Sequence, residues 1–160
     1  MGLFNAIDTS ASGLTAQRLR LDLISNNVAN INTTRTNQTT AAGNPIPYRR
    51  KVAVFVPRPA AETPFSSVLN KAVNSSGDGV QVAAITEDAA PFNMEYNPDS
   101  PDAVKVAEPG LPAGYVRMPN VNIVTEMVDM ISASRAYEAN VTALNASKSM
   151  MSKALEIGRG

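Results

Sequence analysis

The chain has 160 residues, with 14 basic and 14 acidic side chains, and it contains no histidine, cysteine or tryptophan. The absence of histidine and cysteine excludes the commonest general base, the thiol nucleophile and the commonest transition-metal ligands. The balanced charge gives no reason to expect nucleic acid or an acidic membrane surface as a partner.

The first 44 residues contain no proline and carry an apolar heptad repeat, Ile7, Leu14, Leu21 and Val28. Ile24 occupies a neighbouring heptad position. This one-sided pattern predicts an amphipathic helix over 3–29, about 40 Å long, that needs a partner. The chain start lacks the basic and apolar regions of a cleavable signal, and no stretch is apolar enough to span a membrane. Export would therefore require another route.

The middle of the chain cannot form long helices, because all eleven prolines lie between Pro45 and Pro119. Alternating and β-branched residues predict short strands, and one weaker segment predicts a short helix over 62–73. The strand segments are 48–56, 79–85, 92–96 and 114–118. These elements predict a small β-rich insert that is too small for a large core of its own.

The C-terminal 41 residues again lack proline and carry two apolar heptad rows. Asn122 is a plausible N-cap, with Glu126 near the positive end of the helix dipole, which predicts a helix over 122–157. The first row is Ile123, Met130, Tyr137, Leu144 and Met151, and the second is Met127, Val141 and Leu155. The prediction is an α+β chain in three parts, 1–36, 37–118 and 119–160, whose terminal helices pair as a coiled coil.

Two long helices that bury only one face each against the other leave apolar surface uncovered. Because most helical stability comes from packing, we expect the chain ends to be weakly ordered until other subunits cover them. Head-to-tail contacts of this kind generate open helical polymers. An ordinary helical hairpin with a β-insert, monomeric or dimeric, fits the same pattern equally well.

Two separated segments resemble a known family. ASGLTAQRLRLDLISNNVANINTTRT (11–36) resembles the N-terminal signature of the bacterial flagellar rod, hook and hook-associated axial proteins. PNVNIVTEMVDMISASRAYEANVTALNASKSMMSKALEIG (119–158) resembles their C-terminal signature. NINTTRT (30–36), PYRRK (47–51), YNPDSPDA (96–103) and the short chain are most similar to the proximal rod subunits of that family.

The resemblance implies a structural, non-enzymatic subunit without cofactors, which assembles in the periplasm into the basal-body rod that drives motility. It implies export by the flagellar type III system without a cleaved signal. The implied partners are copies of the chain, other rod proteins, the basal-body ring and the export apparatus, without nucleic acid binding or direct membrane insertion. The alternatives are another rod subunit, or a non-flagellar binding module with a helical-hairpin stalk.

The expected assembly interface combines the apolar helix positions with the asparagine block, where uncharged amides can bond to neighbouring backbones. Asn30 and Asn32 are expected mainly to cap and turn the chain, since asparagine tolerates left-handed backbone. For Asn26 and Asn27, bonds between subunits are as plausible as local ones. The interface residues are Ile7, Leu14, Leu21, Ile24, Asn26, Asn27, Val28, Asn30, Asn32, Ile123, Met127, Met130, Tyr137, Val141, Leu144, Met151 and Leu155.

Charged residues of the middle segment fall into two groups of opposite sign. The basic residues Arg49, Arg50 and Lys51 precede an acidic stretch over 87–108. We expect these stretches to meet, either within one subunit or between neighbours. The loop acids match no EF-hand spacing and favour solvated carboxylates over a Ca²⁺ site.

Overall fold

The computed structural model describes residues 3–58 and 79–158, with side chains from residue 5, as two long helices and four short strands. In chain order the elements are α1 (Leu3–Ala29), β1 (Lys51–Pro57), β2 (Val80–Glu87), β3 (Asn93–Tyr96), β4 (Tyr115–Met118) and α2 (Ile123–Ile157). The α+β class is therefore confirmed, as are both predicted helices. The predicted helix over 62–73 lies outside the described residues.

The start of α2 has the predicted cap. Asn122 Oδ1 accepts hydrogen bonds from the backbone N–H groups of Val124 at 2.9 Å and Thr125 at 3.2 Å. These bonds satisfy two donors that the first turn of a helix leaves without an intrahelical partner. Asn122 thus fixes where the helix begins.

Asparagine also ends α1, but without the left-handed backbone that we expected. The Asn30 N–H donates to Asn26 O at 3.1 Å, and Asn30 Nδ2 donates to the same carbonyl at 2.9 Å. Among the described residues, every positive φ belongs to a glycine, so this part of the expectation is wrong. The amide of Asn30 closes the last turn through its side chain, and Asn32 is exposed.

The strands form two separate two-stranded sheets, one from β1 and β2 and one from β3 and β4. β3 and β4 are antiparallel, with Asn93 opposite Met118 and Tyr96 opposite Tyr115. Gly114 precedes β4 with φ +83°, and a Cβ there would lie 3.1 Å from the Tyr96 ring. Glycine therefore supplies both the backbone conformation and the space for that ring.

The described residues fall into two compact units. One draws on Met1–Leu21, Ala53–Ile85 and Met130–Gly160, and the other consists of Asp22–Val52 and Thr86–Asp129. We call the second one the junction unit. Each unit contains parts of all three predicted chain segments, so the division into 1–36, 37–118 and 119–160 describes order along the chain and stays a prediction.

The most buried helix positions are mostly small or polar, and most of them lie outside the predicted apolar rows. On α1 they are Ala16, Leu23, Ile24 and Asn27, and on α2 they are Glu126, Ala133 and Ser147. A Cβ at Gly13 would lie 3.0 Å from Asn140 Oδ1, closer than ordinary van der Waals contact, so the side chain of Asn140 approaches the α1 backbone closely there. The predicted coiled-coil pairing along the apolar rows is not confirmed and stays a prediction.

Candidate functional site: a buried polar cluster and an exposed helix face

Asn27 lies at the centre of a buried hydrogen-bond network in the junction unit. Its Nδ2 donates to Lys51 O at 2.9 Å and to Glu126 Oε2 at 3.1 Å. Its Oδ1 accepts from the Tyr48 hydroxyl and from the Lys51 N–H, both at 2.9 Å. These four bonds use the full capacity of the amide. Within the chain the amide of Asn27 is therefore fully bonded, and its part in the assembly interface stays a prediction.

Glu126 is fully buried and has a charged partner. Arg50 Nε lies 2.5 Å from Glu126 Oε1, and the other guanidinium nitrogens lie 3.1 Å from Asp129 Oδ2 and 3.5 Å from Asp88 Oδ2. The Arg50 side chain is 20% exposed, whereas that of Glu126 is 0% exposed. A buried carboxylate requires such compensation, because its desolvation costs several kcal/mol. We call Asn27, Tyr48, Arg50 and Glu126 the junction cluster.

The cluster raises the pKa of two of its members, Arg50 and Tyr48. Burial lowers the pKa of Arg50, but the hydrogen bond and charge of Glu126 raise it, and the net shift is upward. Burial raises the pKa of the Tyr48 hydroxyl, and the charges of Glu126 and Glu87 raise it further. At neutral pH the guanidinium is therefore charged and the phenol is a neutral donor.

The backbone next to Arg50 is held by Asn120. Asn120 Oδ1 accepts from the Arg50 N–H at 2.8 Å, and its Nδ2 donates to the carbonyls of Asp88 and Ala90, both at 3.2 Å. Arg49 Nη1 donates to the Asp88 carbonyl at 2.8 Å. The predicted meeting of the basic and acidic stretches is confirmed within the chain, by these bonds and by the Arg50–Asp88 ion pair.

Two acids farther along fasten the loop that follows α1. Asp102 accepts from the Thr34 hydroxyl at 2.7 Å and pairs with Arg35 at 2.6 Å. Glu108 Oε1 accepts from the Thr40 hydroxyl at 2.5 Å and from Asn44 Nδ2 at 2.8 Å. These contacts give the acidic stretch a structural role in the junction unit.

The structure distributes the predicted interface residues over all degrees of burial. Ile24 and Asn27 are buried. The half-buried ones are Ile7, Leu14, Leu21, Val28, Asn30, Met130, Val141, Leu144 and Met151. The exposed ones are Asn26, Asn32, Ile123, Met127, Tyr137 and Leu155. Their part in assembly stays a prediction.

The first turns of α2 also expose apolar residues that the heptad pattern missed. Val124 is 66% exposed and Val128 is 61% exposed, next to the predicted positions Ile123 and Met127. Large apolar patches on a protein surface mark interaction sites. We call these four residues the α2 face. Pairing each heptad residue with its chain neighbour would have identified the face from the sequence.

Part of the missed chemistry had no sequence signal. Nothing in the pattern pairs Arg50 with Glu126, which lies 76 residues away. Within residues 3–58 and 79–158, no group of three or more acidic side chains is placed to hold a metal ion. In the same described residues, neither helix is apolar enough over sufficient length to cross a bilayer.

Comparison with known proteins identifies the family. The family description "Flagella basal body rod protein" matches residues 7–35, and "Flagellar basal body rod FlgEFG protein C-terminal" matches residues 113–157. The flagellar basal-body rod protein FlgC of Borreliella burgdorferi is 49% identical over 163 residues, covering 100% of both chains. The chain belongs to the FlgC family of flagellar basal-body rod proteins.

Other FlgC proteins agree with this assignment. FlgC of Bacillus subtilis is 49% identical over 99% of this chain and 100% of its own length. FlgC of Escherichia coli O157:H7 is 40% identical, also over 99% of this chain and 100% of its own. The chain is thus a structural subunit of the flagellar basal-body rod, and the resemblance found in its terminal segments is confirmed.

Proposed function

We propose that this FlgC chain is a proximal rod subunit that assembles through its terminal helices with copies of itself and with other rod proteins. The observation that carries the proposal is similarity to FlgC proteins along the whole chain. The α2 face supports the proposal, since its four large apolar side chains are exposed. Apolar surface of this kind favours association.

The proposal includes the route and setting of assembly. The subunit is exported by the flagellar type III apparatus without a cleaved signal, and it joins the rod in the periplasm next to the basal-body ring. It acts without cofactor, enzymatic activity, nucleic acid binding or membrane insertion. The supports are similarity to flagellar basal-body rod proteins along the whole chain, the lack of histidine and cysteine, and the balanced charge.

The charge distribution on α2 suits a helix that packs against other helices. Two acids, Glu126 and Asp129, lie on the first two turns of α2 beside the α2 face, and both pair with Arg50. The ion pairs compensate both negative charges within the chain. An apolar helix of a neighbouring subunit can therefore approach without burying an unpaired charge.

Glutamate substitutions test whether the apolar rows carry assembly. Leu21→Glu and Leu144→Glu place a charge at half-buried heptad positions, whereas Ser25→Glu and Asn145→Glu place it at exposed positions of the same helices. Each variant replaces the native copy in the bacterium, and swimming, rod assembly and protein level are measured. We expect both leucine variants to be produced but to abolish rod assembly and swimming, because charge at a buried helix contact is costly.

The control variants are expected to assemble and swim. Normal swimming of both leucine variants would contradict assembly through these rows. Equal loss in all four variants would show a general intolerance of negative charge on the helices, and it would contradict the assignment of the rows as well.

A further inference from the structure

The apolar rows of the two helices do not by themselves fix how the helices align. α1 repeats an apolar residue at Ile7, Leu14, Leu21 and Val28, and α2 repeats its own row over Ile123 to Met151. Sliding one helix by seven residues returns apolar residues to apolar positions. A seven-residue repeat therefore permits several registers of similar apolar contact.

One buried contact lacks this repeat. Asn27 Nδ2 on α1 donates to Glu126 Oε2 on α2 at 3.1 Å, and both side chains are almost completely buried. Seven residues before Asn27 is Arg20, and seven residues after it is Thr34, beyond the end of α1. Seven residues after Glu126 is Ala133, and seven before it is Pro119, ahead of α2.

A slip of one heptad therefore breaks the polar contact. Asn27 would face a position without a carboxylate, and Glu126 would lose the amide while remaining held by Arg50, which is fastened to Asn120 through its backbone. An unpaired buried polar group is penalised more than a lost apolar contact of similar size. A slip places Glu126 opposite Thr34 or Arg20, and only the observed register brings a carboxylate of α2 to Asn27.

We propose that Asn27 and Glu126, with Arg50 as positioning residue, select one register of α1 against α2 in this subunit. In the predicted pairing of the apolar rows, apolar contact is similar in every heptad register, and the polar contact decides among registers. The inference deepens the proposed function, because the register determines which helix faces remain for neighbouring subunits. Its test reads a distance within one chain, so its failure would leave rod assembly through the apolar rows untouched.

The experiment measures that distance between two spin labels on the full chain by pulsed electron–electron double resonance. The chain has no cysteine, so cysteines introduced at the exposed positions Ser25 and Thr125 carry the only two spin labels. The key variant is Glu126→Leu, which fills the buried site with an apolar residue and leaves Arg50 paired with Asp88 and Asp129. Glu126→Gln is the isosteric variant: its amide oxygen can still accept from Asn27, while its NH2 replaces the oxygen that faces Arg50, which keeps its pairs with Asp88 and Asp129.

We expect one distance in the labelled parent chain and in Glu126→Gln. In Glu126→Leu we expect an additional distance, because a heptad slip displaces one helix by about 10 Å along the other. Arg135→Ala, which removes an exposed ion pair with Glu138, should leave the single distance unchanged.

Three results would overturn the proposal. The first is a single parental distance in Glu126→Leu, and the second is a broad distribution in the parent chain. The third is loss of helical circular dichroism both in Glu126→Leu and in the charge-free double variant Arg50→Met with Glu126→Leu, since the cluster would then be needed for folding rather than for register.

Discussion

Asn27 joins three segments of the chain through one small amide. Asparagine is a poor residue for a helix interior, because its side chain competes for backbone groups. Here that tendency is used near the end of α1, where the amide bonds the backbone of Lys51 and the side chains of Tyr48 and Glu126. Asparagine is thus a poor helix former at this position, but its side chain makes the hydrogen bonds that connect α1 to the rest of the junction unit.

At the residue scale, Arg50→Ala tests the energetic weight of the junction cluster. The change leaves the buried Glu126 carboxylate without its cation, and breaking a buried pair in this way costs about 3–5 kcal/mol. Arg135→Ala removes the exposed pair with Glu138 and should cost at most about 1 kcal/mol. Urea unfolding of both variants measures the difference, and equal losses would contradict the assigned role of Arg50.

Protonation of Glu108 should weaken the loop that follows α1. Hydrogen bonds from Thr40, and then from Asn44, hold the pKa of Glu108 below its ordinary value of 4.5. A lowered carboxyl pKa stabilises the fold above the ordinary value, and that contribution is lost as the pH falls through the folded-state pKa.

We therefore expect the free energy of unfolding to fall as the pH drops below about 4.5, and to fall less in Glu108→Gln. Glu95→Gln, on the exposed strand β3, is the matched change and should keep the slope of the parent. Thermal unfolding across this pH range measures the slopes. Identical slopes in the parent and Glu108→Gln would show that the bonds to Glu108 do not stabilise its charged form.

At the element scale, the ends of the helices follow from local residues. The cap at Asn122 and the exclusion of proline from both ends give α2 and α1 the bounds that the sequence predicts. Which helix positions are buried was not predictable in the same way. On α2, Glu126, Ala133 and Ser147 are more deeply buried than the larger apolar residues. Which face of a helix is buried depends on how its side chains pack against neighbouring elements. Where two backbones approach closely, small side chains are favoured.

The variant Gly79→Ala tests how much the backbone conformation and close packing before β2 contribute to stability. Its φ is +110°, and a Cβ there would lie 2.2 Å from Ser12 Oγ, which accepts the Val80 N–H at 3.1 Å. Gly79→Ala combines backbone strain with this clash and should destabilise the chain by at least about 2 kcal/mol.

Gly110→Ala is the control, because φ there is +79° with no atom within 4 Å of the added Cβ. It should cost about 1 kcal/mol from the backbone alone. Chemical unfolding compares the two variants. A loss in Gly79→Ala no larger than that in Gly110→Ala would show that Ser12 moves aside without penalty.

At the scale of the whole molecule, whether the two helices are ordered in the free chain depends on how much of their apolar surface only neighbouring subunits can cover. We expect limited proteolysis of the purified subunit to remove the helix ends outside the junction unit rapidly, up to Leu21 and from Met130 onward, and to leave a middle fragment, since helix segments without packing partners are marginal in water. Mass spectrometry of the fragments locates the cuts. Resistant ends would show that α1 and α2 stabilise each other within one molecule, and the expected ordering upon assembly would be wrong.

The sequence by itself determined the α+β class, the bounds of both helices, the N-cap at Asn122 and the flagellar rod family. Each of these depends on local periodicity, on proline and on capping chemistry, or on residue identity within one continuous segment. Only the tertiary structure decided that Asn27 bonds internally, that Arg50 pairs with Glu126, and that Ala133 and Ser147 are buried on α2. Those features join residues far apart in the chain or depend on which face a neighbour covers, and a one-dimensional pattern contains neither distance nor burial.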